Sequence, residues 1–140
     1  MISMTLIASF LVAATVAVHA VGLAVLLWAL PRPNALPLRA WPVTWLLIRM
    51  SWSLILIHAV EISIWALFYL GMECLPDGES AFYYSGVTYA TVGYGDLVLP
   101  KPWRMLGPVE GLTGILMCGL STGFFFAVVS RVYASLVKAD

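Results

Sequence analysis

Thr91-Val92-Gly93-Tyr94-Gly95-Asp96 is the stretch whose residue types and spacing can do chemistry. That chemistry is coordination by main-chain oxygen. A monovalent cation gives up its water only where other oxygens replace the shell at similar distances all round. An extended backbone with its carbonyls turned toward one axis supplies them as fixed dipoles. Such a backbone alternates between ordinary and left-handed dihedrals, and glycine enters the latter without steric cost. Gly93 and Gly95, two apart, give that freedom. Val92 and Tyr94 are expected to point back into the protein as braces, and the Thr91 hydroxyl adds a further layer of oxygen. One copy of such a loop makes one wall, so a ring requires four chains and the expectation is a homotetramer. Read alone, Gly93-Tyr94-Gly95 fits a tight surface turn.

The elements that must hold this loop are set by composition. Charged residues are 10% of the 140 and hydrophobic ones 62%, against about 25% and about 45–50% in soluble domains. Such a chain cannot cover itself with polar surface. It reads as an all-α membrane protein with three transmembrane helices and a re-entrant helix and loop, because only helices and closed barrels satisfy the backbone across lipid. A formal net charge of zero gives no basic patch for nucleic acid. Cys74 and Cys118, in an outer loop and mid-helix, are expected to stay unpaired. No soluble partner is indicated.

Residues 1–30 carry no Lys, Arg, Asp or Glu and form the first expected span. The competing reading is a signal peptide ending near Val18-His19-Ala20, but the basic leader is missing and the apolar run is too long. His19 is expected to be a buried, hydrogen-bonded histidine in a helix that packs peripherally. Residues 31–42 break helix repeatedly with proline and read as a linker along the cytoplasmic face, where Arg32, Arg39 and Arg49 set the positive side. Trp28, Trp41, Trp45 and Trp52 suit an interfacial belt there.

Residues 43–70 form the second expected span, with His58 and Glu61 three apart on one face. Ionisable groups at this depth face protein or water. They are read either as a pair that locks helix packing or as a proton-sensitive support behind the loop. Glu73, Asp77 and Glu79 then enrich the outer side in negative charge. Ser80 offers an N-cap to a helix over 80–90, only about 15 Å long and unable to span. Its carboxyl end directs partial negative charge toward the membrane centre. After loop residues 91–96 the chain climbs out through Pro100 and Pro102, and 105–137 forms the last span, with Arg131 and Lys138 inside. Gly107, Gly111, Gly114, Gly119 and Gly123 allow close crossings in it.

Residues 43–137 resemble the pore domain of the bacterial potassium channel family: outer helix 43–70, pore helix 80–90, selectivity filter 91–96 and inner helix 105–137. The resemblance rests on the Thr91–Asp96 hexapeptide between a short helix and a long apolar one. It implies that Thr91, Val92, Gly93 and Tyr94 coordinate K+, that Gly95 closes the loop, and that Asp96 pairs with Tyr83, where many relatives have tryptophan. The glutamate some relatives place against that aspartate is Val87 here, which leaves Glu110 as a candidate structural substitute. Aligned from Arg104, the family's hinge glycine falls at Gly114 and a second glycine at Gly119. Ile115, Cys118 and Thr122 then face a cavity, and Phe126 lies near an inner constriction. Phe124, Phe125 and Phe126 can equally be packing residues.

The resulting expectation is a homotetrameric potassium channel in the bilayer of the inner (plasma) membrane, amino terminus outside and carboxyl terminus cytoplasmic, and not an enzyme. A non-selective monovalent cation channel and a non-conducting subunit of a heteromeric channel are the alternatives. No helix carries the repeated arginines that voltage sensing needs.

Overall fold

A computed structural model of the chain describes residues 2–31 and 40–137. Arg32, Arg39, most of the expected linker and Lys138 lie outside the described residues. Four helices follow in order: α1 (Ile2–Ala29), α2 (Ala40–Gly71), α3 (Gly78–Tyr89) and α4 (Leu106–Val137). A 3-10 turn, Lys101–Trp103, leads into the last. No strand occurs among the described residues. Three segments, Met4–Ala29, Trp41–Gly71 and Lys101–Ser135, are long and apolar enough to cross a membrane, and α3 is the short helix between the second and third.

Two helix starts differ from the sequence reading. α2 begins at Ala40 rather than 43, so Pro42 sits inside its first turn. A missing N–H costs nothing there, because those donors have no partner within the helix. α3 begins at Gly78, and its cap is Asp77, not Ser80. The Asp77 carboxylate accepts from the Ser80 N–H at 2.8 Å and from the Ser80 hydroxyl at 3.1 Å. Replacing Asp77 by Ala should therefore cost about 1 kcal/mol, read as a lowered denaturation midpoint, while Ser80→Ala should cost less.

α2 ends in a backbone lock. The Glu73 N–H bonds the Leu70 carbonyl at 3.1 Å and the Cys74 N–H bonds that of Tyr69 at 2.8 Å, the paired bonds of a Schellman ending. The left-handed position in it falls on Glu73, at φ 51°.

Two apolar clusters hold the bundle together at its opposite ends. Near the loop, Leu11 of α1, Trp65 and Tyr69 of α2, Ala81 and Tyr84 of α3, Leu99, and Leu106 of α4 pack together. At the far end Leu46 and Met50 of α2 meet Val128 and Val132 of α4, with Leu26, Leu30, Phe124 and Phe125 against them. α1 thus belongs to both clusters. It is also fastened by polar contacts. The Trp65 indole N–H donates to the Thr15 hydroxyl at 3.0 Å, and an Arg131 guanidinium N–H donates to the Pro31 carbonyl at 2.9 Å. Cys74 and Cys118 are free thiols.

Candidate functional site

The loop that follows α3 has left-handed backbone at every second residue: Thr91 at φ 59°, Gly93 at 53° and Gly95 at 78°. Glycine was expected there twice. The third position falls on a β-branched threonine, for which such a φ is a genuine outlier, and strain of this kind gathers at functional segments. What holds it is the end of α3. The Thr91 N–H bonds the Thr88 carbonyl at 2.9 Å, and the Val92 and Gly93 N–H groups share the Val87 carbonyl at 2.8 and 3.1 Å. Beyond Gly93 the loop leans on little in its own chain. Val92 and Tyr94 are 51% and 71% exposed, so neither braces the loop from within the protomer, contrary to the sequence expectation. Any brace for them must come from outside this chain.

At the outer end, the Tyr83 hydroxyl donates to Asp96 Oδ2 at 2.7 Å, the pairing expected for that aspartate. This bond holds the Asp96 carboxyl below its ordinary value of 3.8, and the carboxylate in turn raises the Tyr83 phenol. The stabilisation is complete above the ordinary value and is lost as pH falls through the lowered one. A Tyr83→Phe variant should bring the Asp96 titration, followed by carboxyl carbon NMR, up toward 3.8. Glu110 does not substitute at Asp96. It is fully buried and accepts instead from Tyr69 of α2 at 2.7 Å and Ser85 of α3 at 2.5 Å.

A second buried carboxylate grips the other end of α3. Glu61 is completely enclosed, and burying a charge requires donors at its oxygens. Three are present. His19 Nδ1 of α1 lies 2.8 Å from Oε1. His58 Nδ1 lies 3.0 Å from Oε2, and the Tyr89 hydroxyl donates to the same oxygen. His58 Nε2 reaches Ser121 Oγ of α4 at 3.0 Å. The network thus draws on all four helices. Ligand atoms of His19, His58 and Glu61 lie within 4.8 Å of one another, spacing that could hold a metal ion; both Nδ1 atoms and both Glu61 oxygens are hydrogen-bonded within the network. The expectation that His58 and Glu61 share a face is met, and His19, expected to be buried and hydrogen-bonded, is both. That His19 joins them was not legible from a separation of 42 residues. The signal available was that residues 1–30 contain a single histidine and no Asp, Glu, Lys or Arg, and a polar group in a span turns toward protein.

α4 seats α3 through glycine. A Cβ at Gly114 would run into the Tyr89 carbonyl, so the absence of a side chain lets the two helices touch where the loop begins. Close packing, and not bending, is the role visible at Gly114. Gly119 meets nothing within 4 Å. It lies with Ile115, Cys118, Thr122 and Phe126 on an exposed face of α4. Phe126 is 70% exposed, whereas Phe124 and Phe125 pack against the Leu46–Val128 cluster at the end far from the loop, which separates the three phenylalanines that sequence alone left equivalent.

Residues 55–131 match a family model described as ion channel. No curated protein and no solved structure matched.

Proposed function

This chain belongs to the ion channel family whose model covers residues 55–131, and on that premise we propose that it is a potassium-selective channel conducting passively through a homotetrameric pore. The observation that carries this reading is the alternating left-handed backbone at Thr91, Gly93 and Gly95, in a loop that its own chain leaves uncovered. A backbone alternating in this way turns successive carbonyls to one side, and carbonyl rings are what replace the hydration shell of K+. The carbonyls of Thr91, Val92, Gly93 and Tyr94, with the Thr91 hydroxyl, are the proposed ligands. Irregular backbone at membrane depth is tolerated only inside protein or along water. Three further copies of the same loop provide that enclosure and also the missing neighbours of Val92 and Tyr94.

The rest of the path follows from the same arrangement. The α3 carboxyl end directs partial negative charge at the entrance to the filter, which favours a cation. Ile115, Cys118 and Thr122 line the chamber below. Phe126, contributed four times, forms a constriction that closes by losing water. Glu73, Asp77 and Glu79 concentrate cations at the outer mouth. K+ ions pass in single file down their electrochemical gradient, with the amino terminus outside and the carboxyl terminus in the cytoplasm of a cell bounded by this membrane. Nothing in this reading is catalytic.

The reversal potential of purified protein in bilayers under a potassium–sodium gradient tests it. The expected value sits near the potassium equilibrium potential. A value midway between the two cations makes this a non-selective channel, and silent, well-formed tetramers make it a structural subunit.

A further inference from the structure

We propose that His19 is a positioning residue for the filter, and that the first helix acts on conduction through it. The inference rests on the channel reading for its consequence and on the buried network for its geometry. Tyr89 is the last residue of α3, two before Thr91. Its main chain is pinned against Gly114 of α4, and its hydroxyl is held by Glu61. Glu61 is in turn oriented by His19, whose Nδ1 occupies the other carboxylate oxygen at 2.8 Å. Without that donor, Oε1 would be a buried anionic acceptor with no partner, and the carboxylate would rotate or shift toward a new one. The Tyr89 hydroxyl would follow. Val87, two residues before Tyr89 in the same helix, carries the carbonyl that ties down Val92 and Gly93. A displacement of this end of α3 therefore reaches the filter backbone directly.

The other ring nitrogen of His19 adds a second geometric feature to the network. With Nδ1–H given to Glu61, Nε2 carries a lone pair. That atom is buried without a hydrogen-bond partner among the described residues. Protonation at Nε2 would create an N–H with no acceptor, while adding positive charge beside Glu61. The two effects oppose each other at one residue, so a change of proton occupancy must move the ring or its neighbour. The groups facing this junction are His19 from α1, His58 and Glu61 from α2, Tyr89 from α3, and Ser121 and Cys118 from α4.

The test compares His19→Leu, which removes the donor, with His19→Asn, whose amide N–H takes the place of Nδ1–H but does not titrate. Two readouts are taken on tetramers in bilayers: the K+/Na+ permeability ratio, and the hydrogen-exchange protection and amide shifts of Val92 and Gly93. His19→Leu should lower protection at these two amides by about tenfold, the scale of one lost bond to a charged group, and reduce the permeability ratio. His19→Asn should restore both while shrinking the shift change of Val92 and Gly93 between pH 5 and 8. Should His19→Leu leave filter protection and its pH response as in the parent, the proposal is overturned. If the parent chain shows no potassium preference, the channel reading fails, yet the exchange and shift data still decide whether His19 positions the loop.

Discussion

In the proposed potassium channel, Gly93→Ala should remove selectivity while leaving the fold intact. Gly93 sits at φ 53°, where an L-residue costs about 1–2 kcal/mol. A Cβ there meets nothing within 4 Å in the same chain, so the penalty is purely one of backbone conformation and bundle packing is untouched. The loop already carries one such cost at Thr91, and past Gly93 it has little intrachain bonding with which to absorb another. In the proposed tetramer, four copies raise the total to about 4–8 kcal/mol. Relaxation to negative φ would turn a carbonyl out of the proposed ring and break its coordination of the ion. The permeability ratio for K+ over Na+ should fall at least about tenfold, which needs only about 1.4 kcal/mol of the available strain. Retained selectivity in folded tetramers would mean that the carbonyl at this position is not a ligand.

Gly114→Ala should act in the opposite way, on assembly and stability before selectivity. Its Cβ would overlap the Tyr89 carbonyl and come within 2.9 Å of the carbonyl carbon. Main chain cannot swing aside as a side-chain tip can, so α3 and α4 must separate. Overpacking of this kind costs about 1–3 kcal/mol. The separation also pulls on the Ser85–Glu110 bond that crosses the same boundary. A lower unfolding midpoint and a reduced yield of oligomer are expected, whereas Gly119→Ala, with nothing within 4 Å in the chain, should fold like the parent. If Gly114→Ala folded normally and altered only opening, the bending role implied by resemblance would take precedence over the packing role.

What the sequence made legible was local. The hexapeptide announces its chemistry because glycine spacing and carbonyl geometry are properties of six consecutive residues. The spans follow from apolar length, and the Tyr83–Asp96 pair from the resemblance that the hexapeptide carries. What it hid depended on helix rotation and depth. Nothing in the run around Glu110 says that its partners are Ser85 and Tyr69, since three helices must first be set in register. Glu61 could be matched with His58 on its own helix, but His19 arrives only once α1 packs against α2. The Asp77 cap was missed for a different reason. Asp77 and Ser80 are both good caps, and the choice between them turns on whether Gly78 joins the helix, which it does once Asp77 reaches the Ser80 N–H. The braces expected from Val92 and Tyr94 are not met within the chain, where both side chains are exposed, because the reading assumed neighbours that a single chain does not supply.

The bond from Arg131 to the Pro31 carbonyl has a mechanical meaning. It couples the departure of the first span to the portion of α4 just past Phe126. In the proposed channel, an α4 that swings outward to widen its lower end must either tow that neighbour along or snap the tether. On the proposed reading, opening is then a motion of helix pairs, and its stiffness is set in part by a residue far from the ion path.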